Sequence, residues 1–429
     1  MTPEALNDAL RSHPAALKLL SPLGLRAALP FGIPQQAADA AHCERQATIG
    51  QITDGTGLPL ALPSLARCFS NLDPRESLLY TPQHGLARLR TVWRDHILAS
   101  AGPGTPVSNP VVTAGITHAI SICGELFTAP DRPLLVPLPY WDNYDTIVTM
   151  RTGAPIHTFD FFDGPAARTP RFNVAGLRHA LDRLTGPATL LLNFPANPTG
   201  YSPLADEVEG PNGIVAAIVG HPHPLAVICD DAYEGLFFGP TTGPAAMYGR
   251  SVYGALARAA DPNRHLICKV DGATKELVFF GGRVGFLTFS ATGAAGDALA
   301  EKAAALIRST ISNGPAPSQA AVLHALESPT LAAEQEAVLS VLARRYRALK
   351  AALDEHGVPY WPFNSGCFCL LPLPEGMHAE EVRKRLIVEQ SVGVIQIPQV
   401  NALRVAFCGI EAEDIPDLVE RIGRVINAR

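Results

Sequence analysis

The 429-residue sequence contains no stretch of about 18 uncharged apolar residues, the length a membrane-spanning helix needs. The Ala-rich segment from Ala291 to Ile307 comes nearest, and Asp297, Glu301 and Lys302 interrupt it. The first twenty residues lack the basic start and apolar run of a secretory signal, because Glu4, Asp8, Arg11 and Lys18 are scattered through them. A bias toward positive charge is also missing. Lys and Arg together number 34 against 40 Asp and Glu, without clustering, and the formal net charge is −6. That balance gives no electrostatic reason to bind nucleic acid or an acidic membrane surface. With 47% hydrophobic and 17% charged residues, the chain is not disordered either. Internal repeats and low-complexity tracts are absent.

Cysteine is present but unorganised. Eight are spread along the chain, and Cys229, Cys268 and Cys408 sit in apolar runs where a thiol behaves as a small hydrophobe. Cys367 and Cys369 form a lone C-x-C without a second ligand pair, so no metal is expected. The expectation is a cytoplasmic protein with reduced thiols.

A chain of this length exceeds one simple core. Short β-rich runs at Pro110 to Thr113, Pro133 to Pro137, Thr189 to Phe194, Leu225 to Asp230, Leu266 to Val270 and Gly285 to Phe289 alternate with helical stretches such as Val174 to Leu184. Nearly continuous apolar strands predict an α/β fold, a mostly parallel sheet covered by helices on both faces. Beyond a long helical stretch from about Ser318 to His356, strand-like pieces at Cys367 to Leu371, Val392 to Gln396 and Ala402 to Phe407 predict a smaller α+β domain. The expected division is an N-terminal arm or part of the small domain (1–60), a large domain (61–317) and a small C-terminal domain (318–429). The loop-rich arm is expected to wrap across a neighbour or the small domain.

Four clusters lie at predicted strand ends, where an open α/β sheet meets its ligands. Asn197-Pro198-Thr199-Gly200 reads, alone, as a turn. Asp230-Asp231-Ala232-Tyr233 reads either as a helix cap or as a carboxylate that keeps a heterocyclic nitrogen protonated, with a phenol in reach. In Asp271-Gly272-Ala273-Thr274-Lys275 the lysine stands among small residues ahead of apolar Leu277 to Phe280. Partial desolvation there would lower its pKa, as a Schiff-base lysine requires. Arg283 follows and can present a two-pronged donor to phosphate. Last, Ala114-Gly115-Ile116-Thr117 joins a strand to a helix, offering backbone N–H groups for phosphate.

The order and spacing of N-P-T-G, D-x-A-Y and T-K with an arginine eight residues on (275 + 8 = 283) resemble the class I/II aminotransferases, of the aspartate and aromatic type, among fold-type I pyridoxal-phosphate enzymes. The resemblance runs from about Ala47 to the C-terminus. It implies pyridoxal 5'-phosphate as a Schiff base on Lys275, which then moves the Cα proton. Asp230 falls on the partner of the pyridine nitrogen, Tyr233 and Asn197 on the groups that bind the phenolic oxygen, and Trp141 on the stacking ring. Thr274, Arg283 and the turn Gly115, Ile116 and Thr117 fall on the phosphate site. Tyr80 resembles the tyrosine that reaches the phosphate of a neighbouring subunit, which implies a homodimer with shared sites. Arg404 falls on the clamp for the substrate α-carboxylate. Arg308 resembles the arginine that reads a distal carboxylate across the dimer, although a helix-end arginine meeting backbone carbonyls explains it equally. The substrates implied are an L-amino acid and a 2-oxo acid.

The sequence also departs from the family pattern. Gly272 stands where a phosphate-binding serine is common, Ile116 replaces a smaller or polar residue, and Asp271 is an unusual acid beside a phosphate site. Two alternatives stay open. One is the same cofactor running elimination, replacement, cyclisation, decarboxylation or oxidation. The other is a non-enzymatic effector-sensing domain, which residues 1–46, neither basic nor long, do little to support.

Overall fold

The computed structural model describes residues 2–427 except His13, Pro30, Asn71, 165–169 and Pro244. Its first strand, β1 (Arg45–Gln46), lies outside the main sheet. The main sheet holds seven strands: β2 (Val111–Thr113), β3 (Leu134–Leu138), β4 (Ile156–Asp160), β5 (Ala188–Asn193), β6 (Leu225–Asp230), β7 (His265–Gly272) and β8 (Gly285–Phe289), in the order β2-β8-β7-β6-β5-β3-β4. The β4-β3-β5-β6-β7 block is parallel, and β8 runs antiparallel between β7 and β2.

The strand period explains why these runs are almost wholly apolar. Successive side chains point to opposite faces. Leu190, Leu192, Val227 and Ile267 therefore enter a core with Leu177, Ile214 and Leu256, whereas Leu191, Ile228, Cys268 and Val270 enter another with Ile116, Ile120 and Ile147. Helices cover both faces, so both are mainly apolar and the few polar residues in these strands are buried. Strand β4 carried no such signal: at this edge only Phe159 is buried.

The C-terminal part holds β9 (Phe368–Pro372), β10 (Val392–Gly393), β11 (Ile395–Ile397) and β12 (Ala402–Ala406); β11-β12-β9 form an antiparallel sheet, and β10 lies outside it. Strand β10 pairs in parallel with β1, so the N-terminal segment joins this part of the molecule. The helix Ile415–Ile426 shows why it packs there. Ile415, Leu418, Val419, Ile422, Val425 and Ile426 recur at helical spacing and are all buried. The long helix expected from Ser318 to His356 is two helices, Ala316–Leu326 and Leu331–Glu355. Pro329 explains the break, since a residue before proline is driven out of the helical region.

Gly200 couples the two sheets. Its φ is +70°, and a Cβ there would lie 1.9 Å from the Phe368 carbonyl oxygen, so the Asn197–Gly200 turn can lie directly against β9 only because this residue has no side chain.

Candidate active site

A cavity of about 280 Å³ opens at the carboxyl ends of the parallel strands and is closed on one side by β9 and β12. Ile116, Thr117, Trp141, Asn197, Asp230, Tyr233, Thr274, Lys275, Arg283 and Arg404 all line it. Residues from seven separate stretches of sequence thus meet at one place.

Lys275 sits in the short helix Ala273–Glu276 that follows β7. Burial pulls its pKa down, and the negative charge of Asp230 only partly restores it. Its Nζ lies 4.8 Å from the centre of the Tyr233 ring. A neutral amine is what imine formation and proton abstraction both require. Asp230 ends β6, fully buried. Burial raises its pKa, while the Tyr144 hydroxyl opposes the rise by donating to Oδ2 at 2.5 Å. Oδ1 accepts the Ala232 N–H at 3.2 Å. No helix follows; the chain turns instead, and the next helix begins at Tyr253. The carboxylate therefore faces the cavity rather than a helix end.

At the opposite end of the cavity, Gly115 precedes the helix Ile116–Phe127 with φ +89°. A Cβ on Gly115 would lie 2.4 Å from Nη2 of Arg283, so the glycine makes the cradle into which the guanidinium fits. Arg283 itself adopts φ 55°, an uncommon conformation for a non-glycine residue. It donates to the Phe280 carbonyl at 3.2 Å and is otherwise open. First-turn N–H groups, which have no intrahelical acceptor, point the same way. This donor set suits a phosphate. Gly272 has no room for serine, because a Cβ there would stand 2.7 Å from both Gly285 Cα and the Val284 oxygen. Asp271 points away from the phosphate cradle and accepts the Trp93 indole N–H at 3.0 Å.

Arg404 alternates with Leu403 and Val405 along β12, and those two face the C-terminal core. Its side chain therefore points the other way, into the cavity. Nη1 donates to Asn197 Oδ1 at 2.8 Å and Nη2 to the Thr48 carbonyl at 2.7 Å. The guanidinium lies 4.3 Å above the Phe368 ring, and its Nε has no partner. A buried donor held rigid yet unsatisfied is suited to receive a carboxylate.

Tyr80 and Arg308 do not line this cavity. Tyr80 is 93% exposed. Arg308, exposed near the end of the helix Gly293–Thr310, donates to the Ser312 hydroxyl. The two segments adjoin, since the Thr81 hydroxyl donates to the Gly314 carbonyl at 2.9 Å. Two further residues act here that were not singled out from the sequence. Tyr144, three residues after Trp141, meets that ring edge-on at 5.5 Å while it binds Asp230. Asn193 Nδ2 donates to the Asp230 carbonyl at 2.8 Å, and its Oδ1 accepts the Asn197 N–H at 2.7 Å, tying three site segments together.

A family model described as "Aminotransferase class I and II" matches residues 48–422. The chain is 22% identical over 207 residues to an aspartate aminotransferase of Bacillus subtilis, covering 48% of this chain and 47% of that protein. It is 29% identical over 171 residues to 1-aminocyclopropane-1-carboxylate synthase 3 of Oryza sativa subsp. japonica, covering 38% and 36%. The chain spans about half the length of the curated relatives it matches first. A solved aminotransferase from Anaerococcus prevotii superposes with a TM-score of 0.79 at 22% identity, over 93% of this chain and 97% of that one, and shares its fold.

Proposed function

The chain belongs to the class I and II aminotransferase family, whose enzymes use pyridoxal phosphate, and on that premise we propose that it transfers the amino group of an L-amino acid to a 2-oxo acid with the cofactor held on Lys275. One observation carries this reading: the half-buried, easily neutralised amine of Lys275 shares a cavity with Arg404, whose Nε is unpartnered among the described residues. A site for the proton transfer and a site for the α-carboxylate are thus built together.

When bound, the cofactor supplies a heteroaromatic ring that takes up the electron pair left when the Cα–H bond breaks. The protein does the rest. Asp230, its charge favoured by the Tyr144 hydroxyl, would keep a proton on the ring nitrogen. Arg283, Thr274 and the N–H groups after Gly115 would hold the phosphate, and Trp141 would cover the ring. Arg404 and Asn197 orient the substrate carboxylate so that Cα–H faces Lys275, the positioning part of catalysis. Lys275 would accept the Cα proton and give it back, and the 2-oxo acid would receive the amino group by the same steps in reverse.

The working assembly is a homodimer. Leu78, Leu79 and Tyr80 are 80%, 64% and 93% exposed and adjoin the segment after Arg308, which also exposes Ile311. Such an apolar face favours coverage by a second copy. Tyr80 then reaches the partner's phosphate site and Arg308 the distal end of the partner's substrate, favouring a dicarboxylic amino acid. Among the described residues no helix is long and apolar enough to cross a membrane. All eight cysteines are free, which suits a reducing cytoplasm.

The likeness to 1-aminocyclopropane-1-carboxylate synthases supports a second reading, elimination or ring closure after the same proton abstraction. Mixing the cofactor-loaded protein with single amino acids, without oxo acid, separates the two. Stoichiometric conversion of the cofactor to its amine form is expected. Release of ammonia or a cyclic product with the cofactor unchanged favours the second reading.

A further inference from the structure

Lys269 stands in β7 opposite Cys229 of β6 and Thr288 of β8, and it is 1% exposed. A fully buried lysine is rare unless it is paired. Here Nζ lies 2.5 Å from Asp231 Oδ2 and 3.4 Å from Asp271 Oδ2, and it also bonds Glu234 Oε2. Burial alone would pull the ammonium down; the three carboxylates outweigh it and hold Lys269 charged. Asp231 also accepts the Ser251 hydroxyl at 2.6 Å, and Asp271 the Trp93 indole N–H. None of these groups lines the cavity.

Their places in the chain matter. Asp231 follows Asp230, Glu234 follows Tyr233, and Asp271 precedes Lys275 by four residues. Among its described residues the stretch from Asp231 to Val252 contains no helix or strand, and its start is held by the Asp231 N–H on the Val270 carbonyl at 2.8 Å, by Ser251 and by these ion pairs. One ammonium therefore gathers the ends of β6 and β7 from beneath. We propose that Lys269 is a positioning residue, which sets Asp230, Tyr233 and Lys275 in register around the cofactor. The proposal rests on the reading above, that pyridoxal phosphate occupies the cavity.

The physical argument concerns what remains when the ammonium is removed. Three carboxylates around an apolar side chain must take up protons or move apart. Parting shifts the β6 or β7 end, and a displacement of about 1 Å at a reacting group costs on the order of 100-fold in rate. Loss of stability would not by itself establish positioning, so the test needs a reading of the cofactor.

Lys269→Met is compared with wild type and with Leu349→Ala, a core truncation in the distant helix Leu331–Glu355. Three quantities are followed: pyridoxal phosphate affinity of the apo-protein, visible circular dichroism of the bound cofactor, and kcat against KM. Lys269→Met is expected to weaken cofactor affinity about tenfold, flatten the dichroism and lower kcat about 100-fold, with KM within about twofold. Leu349→Ala is expected to lower Tm while leaving dichroism and kcat alone. If Lys269→Met does not fold, Asp271→Asn serves instead. It keeps an acceptor for Trp93, withdraws one carboxylate, and should show the same signature at about tenfold in kcat. Unchanged dichroism and kcat in whichever variant folds, whatever its Tm, overturns the proposal. The affinity and dichroism readings use cofactor alone, so they hold even if the chain proves not to transaminate. A wild-type chain that takes up no pyridoxal phosphate overturns the functional reading and this proposal with it.

Discussion

Replacing Arg404 by lysine tests the carboxylate clamp, because it keeps the charge and removes the fork. In the structure Nη1 and Nη2 are committed to Asn197 and Thr48, which leaves Nε and the outer edge of the guanidinium for a ligand. A charge-assisted hydrogen bond of this kind contributes about 1.5–3 kcal/mol, or about 10- to 150-fold in affinity. A lysine ammonium reaches the carboxylate with one bond at best and cannot hold Asn197 at the same time. The assay is the substrate concentration dependence of the cofactor's spectral change in a single half-reaction. Running it with an amino acid and with the corresponding amine, which lacks the carboxylate, isolates the contact from any general disturbance of the cavity. Wild type should prefer the amino acid strongly, and Arg404→Lys should lose about 10- to 150-fold of that preference. An equal loss for both ligands would falsify the clamp and leave Arg404 as a strut for Asn197.

Tyr144→Phe should lower kcat about tenfold and leave KM alone, since one donor to Asp230 contributes about 1.5 kcal/mol; steady-state kinetics showing no change would free Asp230 from dependence on it. His96 pairs with Glu276, whose charge lifts the imidazole pKa from 6.5 to about 9. A raised folded-state pKa means stability that is present below 6.5 and lost as pH climbs through about 9. The side chain is 42% exposed, so screening limits the pair to about 1 kcal/mol. Urea unfolding of His96→Gln should show that deficit near pH ~6 and none near pH ~10, and an equal deficit at both would show the charge to be irrelevant. Gly200→Ala should cost at least about 2 kcal/mol in the same assay, given its left-handed backbone and the 1.9 Å approach to Phe368; a neutral outcome would mean that the turn can leave β9.

The buried strands of the main sheet were legible because helices on both faces demand unbroken apolar runs, and such runs stand out against the loops around them. Edge strand β4 was not, since a strand that buries one residue looks like any polar segment. The split of the long C-terminal helix was written in Pro329, but helical periodicity on either side masks a short break. Within the cavity, Lys275, Asp230 and Arg283 were legible as chemistry-bearing residues at or near a strand terminus. Tyr80 and Arg308 resembled family positions equally well, yet one chain alone leaves both in the open.

Two residues that the sequence did not single out share a physical cause with Arg404, which only the family resemblance marked. Asn193 closes the run Leu190-Leu191-Leu192, Lys269 interrupts Ile267-Cys268, and Arg404 interrupts Leu403-Val405. Apolar pattern matching reads through such residues, because one polar side chain barely changes the average. Energetics reads them the other way. A polar group buried in a strand loses its water, and unless partners replace it the fold suffers about 1–3 kcal/mol, more for a charge. A polar residue at the centre of a buried strand therefore implies partners elsewhere in the chain. Asn193 finds Asp230 and Asn197, Lys269 finds three carboxylates, and Arg404 finds Asn197 and Thr48 with one donor to spare. What sets Arg404 apart as a group placed for a ligand is that its spare donor belongs to a side chain lining the cavity, which Lys269 does not. That difference needs the folded neighbours in place, and so it lies beyond what the order of residues alone can express.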